Sequence, residues 1–247
     1  MILRLSRAKL KYFKALEDKN TRVREGLFLA EGRKLVAEGL KEGWICRSLI
    51  GNEEETQSLA NEFGIANADH YAASPSEIAQ ISTLKNPEPL LAAFEIREDS
   101  FNFEASQGLI LDGISDPGNL GTLIRTADWF GISQILAGPG TADRFNAKVL
   151  RSSMGSVFRV NFASSANLLD NLSQHGAKIW AANMEGYSPE IMKTEKRPFL
   201  LLGNESNGIS QSLMQLPGIQ RISIPSNGSA ESLNLAVAGG ILMYLKT

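Results

Sequence analysis

The 247-residue sequence contains one cysteine, Cys46, and two histidines, His70 and His175. A single cysteine excludes an internal disulfide and any cysteine-rich zinc site. Two isolated histidines without ligand spacing give no metal cluster and no Ser-His-Asp or Cys-His nucleophile, so no metal is expected. Gly-x-x-x-x-Gly-Lys-Ser/Thr is missing, which excludes a phosphate-cradling P-loop. No Gly-x-Gly-x-x-Gly opens a helix after a strand, which counts against an NAD enzyme. No stretch approaches the roughly 20 apolar residues of a membrane span, and the N-terminus lacks a signal-peptide core. No membrane partner is expected, and the cytoplasm is the expected location. Excess charge is also missing: at a net −2, any nucleic-acid-binding surface must be local.

What is present is an ordinary globular composition, 43% hydrophobic and 21% charged, enough for a sizeable core. Basic residues crowd the start: Arg4, Arg7, Lys9, Lys11, Lys14, Lys19, Arg22 and Arg24 are opposed there only by Glu17 and Asp18. They fit a short amphipathic helix whose basic face either meets solvent or binds phosphate. Alternating strand and helix patterns then run to a closing strand at Leu90–Ile96, including a Ser74–Glu77 capping-box spacing. The polar, turn-rich stretch after Arg97 marks a domain boundary, giving a first domain over 1–100 and a second over 101–247. From Leu109 onward strands alternate with helices, which predicts an α/β domain with a mostly parallel sheet. Strands are expected at Val157–Phe162 and Arg221–Ile224, and a last helix from about Ser232 to Lys246.

Three strand-end loops carry the polar residues. In Asp112–Asp128, an apolar run leads into Pro117, Gly118 and Asn119, and Leu120, Leu123, Ile124 and Ala127 then keep helical spacing. Taken alone, Asn119 reads as a helix N-cap and Arg125 as the partner of Asp128, three residues on. Gly203–Gly208 follows a buried strand and reads either as a plain strand-to-helix loop or as a loop whose glycines let backbone approach a ligand closely. Ser232 and Asn234 stand where the last helix begins, as caps or as site groups. That helix is apolar around nearly its whole circumference, which asks for burial on all sides, best supplied by a second subunit.

Read together and in order, Asp116-Pro-Gly-Asn119-Leu-Gly-Thr-Leu-Ile-Arg125-Thr-Ala, Leu202-Gly-Asn-Glu205-x-x-Gly208, and Ile222-Ser-Ile224-Pro followed by Ser232-Leu-Asn234 resemble the three motifs of the SpoU (TrmH-type) RNA ribose methyltransferases of the SPOUT superfamily. Arg151-Ser-Ser-Met-Gly155 also looks like the family. In motif 3, Leu235-Ala236 stands where members often carry Val-Ser. The basic N-terminus and Gly32-Arg33-Lys34-Leu-Val-x-Glu38 resemble the substrate-binding extension of members that act on ribosomal RNA.

The resemblance implies a C-terminal segment threaded into a deep trefoil knot, an exception to the rule that chains avoid knots, and a homodimer packed through the knotted domain. It implies S-adenosyl-L-methionine as cofactor, with Gly203, Ile224 and Leu233 at the matched cofactor positions. The reaction implied is methyl transfer to a ribose 2′-hydroxyl, of ribosomal RNA in preference to transfer RNA. Arg125 would lie closest to the hydroxyl proton. A guanidinium normally keeps its own proton, so Arg125 stands either as a base after desolvation or as a clamp on the adjacent phosphate. Asn119, Glu205, Ser232 and Asn234 would orient Arg125, the ribose and the cofactor. Arg4, Arg7, Lys9 and Lys11 would contact RNA. Two rivals remain on the same fold, a catalytically silent RNA-binding protein and an enzyme that methylates a base.

Overall fold

A computed structural model describes residues 2–65, 67–194 and 197–246. The chain divides into two compact units, Met1–Arg97 with Phe145–Arg151, and Glu98–Arg144 with Ser152–Thr247. The first unit thus takes in a segment lying beyond residue 100, because Phe145 stacks on Phe28 at 4.1 Å and meets Trp44 edge-on.

In chain order the first unit holds β1 (Ile2–Arg4), α1 (Arg7–Ala15), α2 (Lys19–Glu25), β2 (Leu27–Glu31), α3 (Arg33–Lys41), β3 (Cys46–Gly51), α4 (Glu53–Phe63), β4 (Asp69–Ala72), α5 (Pro75–Ile81) and β5 (Leu90–Glu95). Its sheet has the order β1-β4-β3-β5-β2. β5 runs antiparallel to β2 and β3, and the other pairs are parallel. Local chemistry sets the helix starts. Ser6 accepts from the Lys9 N–H ahead of α1, and Ser74 and Glu77 form the reciprocal capping box ahead of α5. Phe13, Leu16, Ile50, Tyr71, Ile78 and Leu91 fill one core cluster. Arg22 leaves the basic surface: it is buried, and its Nη1 donates to the carbonyls of Leu16 and Glu17 at 2.8 and 2.6 Å. Cys46 is also buried, and burial pushes its thiol up to about 12, which leaves it unreactive near neutral pH.

The second unit holds β6 (Gly108–Asp112), α6 (Pro117–Trp129), β7 (Gln134–Ala137), the end of α7 (Ala147–Ser153), β8 (Asn161–Ser164), α8 (Leu168–His175), β9 (Ile179–Tyr187), β10 (Phe199–Gly203), α9 (Gln211–Met214), β11 (Ile219–Ile222) and α10 (Leu235–Lys246). Its six-stranded sheet has the order β11-β9-β10-β6-β7-β8, and every pairing is parallel. Strands β6 and β10 are buried nearly end to end, as a parallel sheet covered on both faces requires. The expected α/β domain with a mostly parallel sheet is what forms.

Three expectations need correction. Val157–Phe162 is not one strand: Ser156–Phe158 form a 3-10 turn before β8. Met154 and Gly155 adopt positive φ there, 51° and 94°, which folds the chain tightly, and Val157 and Phe158 are both buried rather than alternating. The strand placed at Arg221–Ile224 lies instead at Ile219–Ile222, and the last helix starts at Leu235. Within one chain α10 is buried on one side only. Ala236, Gly239, Leu242 and Met243 are buried, whereas Val237 and Tyr244 are 52% and 65% exposed. A Cβ on Gly239 would lie 2.6 Å from Leu123 Cδ2 and 2.9 Å from Leu202 Cδ1, so glycine lets α10 press onto α6 and β10 on its buried side.

Candidate functional site

The polar residues of the second unit converge outside the carboxyl ends of β6 and β10, where open α/β sheets bind ligands. Strand β6 ends at Asp112, whose Oδ2 accepts from the Ser210 N–H at 2.7 Å. Gly113 follows with φ 73°, and the loop reaches α6 through Asp116 and Pro117. Asp116, not Asn119, is the N-cap: its Oδ1 accepts from the Asn119 N–H at 2.8 Å, with Pro117 in the first turn. This corrects the cap assignment and frees the Asn119 amide. Proline immediately after the cap is the stronger start signal, since its missing N–H costs the first turn nothing.

The freed amide joins two loops. Asn119 Nδ2 donates to Glu205 Oε1 at 3.0 Å, and Asn234 Nδ2 donates to Asn119 Oδ1 at 3.1 Å. Orientation follows from chemistry. An ionised carboxylate only accepts, so the NH2 group of Asn119 must face Glu205 and its oxygen must face Asn234. Asn234 then donates with its nitrogen, and its oxygen accepts from the N–H groups of Ala236 and Val237 at 2.9 and 3.3 Å. Of the two candidate caps, Asn234 therefore caps α10. Ser232 is exposed in the preceding loop and makes no hydrogen bond to a described residue.

Glu205 also accepts from the Ser115 N–H and Oγ at 3.3 and 3.2 Å, and from the Asp116 N–H at 3.3 Å. Partial burial pushes its carboxyl up. The Asn119 amide and the backbone N–H groups of Glu205, Asp116 and Ser115 more than offset this and hold it below the usual carboxylate value. Donors aimed at the ionised form favour it.

Arg125 is exposed on α6 and makes no hydrogen bond or ion pair to any described residue. The expected Arg125–Asp128 pair does not form. Asp128 is taken by Arg159, whose Nε and Nη2 lie 2.9 and 2.8 Å from its Oδ2. A two-nitrogen contact outcompetes an i,i+3 helix pair with its cation on the N-terminal side.

The matched cofactor positions are placed as follows. Gly203 is buried at the end of β10, and a Cβ there would sit 2.3 Å from Gly208 C and Ile209 N. Its demand for glycine comes from the chain doubling back on itself through the Asn204–Gly208 bridge, not from a ligand alone. Ile224 is half-buried and Leu233 is 48% exposed, both in the loop between β11 and α10. In the first unit, Arg4, Arg7, Lys9 and Lys11 are all exposed, and the Lys9 ammonium stands 5.3 and 5.6 Å from the Tyr12 and Tyr71 ring centroids. Among the described residues, no group of three or more His, Cys, Asp or Glu side chains could hold a metal. His175 stacks on Phe103 at 4.0 Å.

Two contributors were not singled out from sequence. Ser115 supplies two of the Glu205 donors, and Asn204 bridges the loops. Its Nδ2 donates to the Gly113 carbonyl at 2.7 Å, and its Oδ1 accepts from the Ser206 and Asn207 N–H groups at 2.9 and 3.1 Å. Asparagine's habit of closing a turn with its own side chain is the available signal.

Known proteins share this architecture. Residues 107–244, more than half of the chain, match the model of the SpoU rRNA Methylase family, and residues 7–92 match an MRM3-like substrate binding domain. The 23S rRNA (guanosine(2553)-2′-O)-methyltransferase RlmP of Bacillus subtilis is 34% identical over 240 residues, covering 96% of this chain and 94% of that protein. The crystal structure of an AdoMet-bound rRNA methyltransferase from Sinorhizobium meliloti superposes with a TM-score of 0.88 at 30% identity, covering 100% of this chain and 97% of that one. A TrmH-family protein from Porphyromonas gingivalis gives 0.85 at 35% identity, covering 98% of each. With its three motif loops joined at the ends of β6 and β10, this chain belongs to the SpoU rRNA Methylase family.

Proposed function

We propose that the protein is a methyltransferase that moves a methyl group from S-adenosyl-L-methionine to a ribose 2′-hydroxyl of RNA, ribosomal RNA in preference to transfer RNA. The observation that carries this is the Asn234–Asn119–Glu205 network with Arg125 exposed, and without a partner among the described residues, on the same helix as Asn119. Family membership and relatives acting on ribosomal RNA support the substrate class.

The residues present fit the cofactor. Ile224 and Leu233 leave apolar surface uncovered for an adenosyl group. When bound, the cofactor supplies a methyl on a cationic sulfur with a good leaving group. The protein's task is then alignment and help with the hydroxyl proton. Glu205 fixes Asn119, and Asn119 fixes Asn234 at the head of α10, so both sides of the site are set before RNA arrives. Arg125, with no partner among the described residues, keeps its donors for the substrate, clamping the phosphate beside the target ribose. Ser232 offers a free hydroxyl to the ribose or the cofactor.

Three further features belong to the same proposal. The chain from β11 onward threads a trefoil knot, supported by the order β11-β9-β10-β6 and the close packing of Gly239 on α6 and β10. Two copies pair through α6 and α10, where Trp129, Val237 and Tyr244 are exposed. The N-terminal domain, residues 1–100, binds RNA with Arg4, Arg7, Lys9 and Lys11, and the protein acts in the cytoplasm, where its substrate is.

Arg125→Ala tests the core of this. Methyl transfer to ribosomal RNA should fall at least about 100-fold, as when one transition-state donor is removed, while calorimetry shows cofactor affinity within about threefold of wild type. Turnover that survives intact would remove Arg125 from the mechanism.

A further inference from the structure

We infer that Asn204 is a positioning residue for the transfer reaction, holding the Glu205 loop against the loop that leads into α6; this rests on the methyl-transfer proposal above. Three hydrogen bonds of one side chain carry it. The amide oxygen accepts from Ser206 and Asn207, which fixes the turn bearing Glu205. The amide nitrogen donates to Gly113 O at 2.7 Å, across to the other loop. The same nitrogen lies 3.4 Å from Glu205 Oε2 and 3.5 Å from Ser115 Oγ. Its backbone is pinned as well, in a two-way bridge with Gly208.

The consequence for geometry is direct. Glu205 collects donors from Ser115, Asp116 and Asn119 only if the β6–α6 loop stays where the Asn204–Gly113 bond puts it. Asn119 in turn orients Asn234. Asn204 is thus the pin from which the network hangs, although it need not touch the ribose. A displacement of about 1 Å in such supporting geometry can cost on the order of 100-fold in rate.

Asp and Asn have the same shape but differ in what they can do here. Asn204→Asp keeps the turn-closing acceptor, loses the donor to Gly113, and sets a second carboxylate beside Glu205. The other acidic side chains of the β6–α6 loop are Asp116, which caps α6, and Asp112, bound to the Ser210 N–H. Like charges that close cannot both ionise freely, so the Glu205 titration should move upward.

The experiment uses full-length protein labelled with 13C at the glutamate carboxyls, as wild type, Asn204→Asp and Asn204→Ala. The Glu205 titration is followed by NMR, and kcat and KM are measured on ribosomal RNA with S-adenosyl-L-methionine. In Asn204→Asp the Glu205 midpoint should rise by about one pH unit or more, and kcat should fall roughly 10- to 100-fold, with cofactor affinity and melting temperature near wild type. Asn204→Ala should lose kcat similarly without the upward titration. A purely structural role would lower melting temperature in both variants and leave kcat of the folded protein near wild type, the Glu205 shift in Asn204→Asp then reporting only that the two carboxylates are neighbours. An Asn204→Asp protein with wild-type kcat and wild-type Glu205 titration overturns the inference. Should wild type itself transfer no methyl group, the functional proposal fails, and the NMR titration still decides whether side chain 204 stands beside the Glu205 carboxylate.

Discussion

Glu205 shows how much one side chain's state can govern. Its carboxyl is depressed relative to an ordinary glutamate, so it is ionised in the folded protein at pH values where an unfolded chain has begun to take up protons. The sign follows: its contribution to stability is fully present above the unfolded value of about 4.3 and is lost as pH falls through the lower folded value. Glu205→Gln turns an NH2 group toward donors that need an acceptor. The melting temperature of wild type should therefore exceed that of Glu205→Gln above about pH 5, by no more than a few degrees because the group is exposed. The gap should close in stronger acid. A gap that stays constant down to about pH 3, well below the unfolded value, would show that ionisation of Glu205 is irrelevant to the loop. Methyl transfer should share that acid limb.

At the scale of the element, the central strands β6 and β10 were plain in the sequence and the loops were not. β6 and β10 are short, uniformly apolar runs, and nothing but a strand buried on both faces suits them. α1 was legible from its amphipathic spacing and α5 from the Ser74–Glu77 capping box. β1 and β4 were not, because three or four partly exposed residues carry no periodicity of their own and exist as strands only through each other and β3. Residue types at the site were visible, but their pairings were not. Local spacing favoured Arg125 with Asp128 and Asn119 as a cap. The true partners, Arg159 for Asp128 and Glu205 for Asn119, come from residues 31 and 86 positions away, which no local rule weighs.

The basic helix α1 illustrates the same limit from the other side. Composition counted Arg22 with the surface cations, whereas it serves as an internal tie between α2 and the carbonyls that end α1. Arg4, Arg7, Lys9 and Lys11 stay on the surface. Replacing these four with glutamine should reduce the slope of log affinity for RNA against log salt by about 2 to 3, given roughly 0.7 for each phosphate of a single strand that a cation neutralises. A slope equal to wild type would make that face a solvated one.

For the molecule as a whole, α10 is the element one chain cannot satisfy. Its sequence is apolar almost throughout, but Val237 and Tyr244 face outward, with Tyr244 against Phe130 at 6.0 Å and Trp129 left 84% exposed on α6. A patch of such side chains marks an interaction surface. Val237→Glu with Tyr244→Glu should raise the dimer dissociation constant by about 100-fold or more, since an unpaired charge in an interface costs roughly 3–5 kcal/mol. Sedimentation velocity would read this, and an unchanged dimer would locate the interface elsewhere. Gly239 and Leu242, which face inward, are left alone so that the fold is not what changes.

The strand order also has a meaning in time. β10 lies between β9 and β6, and β9 has only β10 and β11 for neighbours. During synthesis β6, β7 and β8 can pair as they emerge, but β9 must wait with both edges bare until Phe199 and the residues after it leave the ribosome. Unpaired edges of this kind are templates for the wrong partner. A message broken anywhere between the codons for Tyr187 and Phe199 would release a chain whose sheet lacks its middle strand, and the cell would meet an aggregation-prone fragment rather than a shortened enzyme.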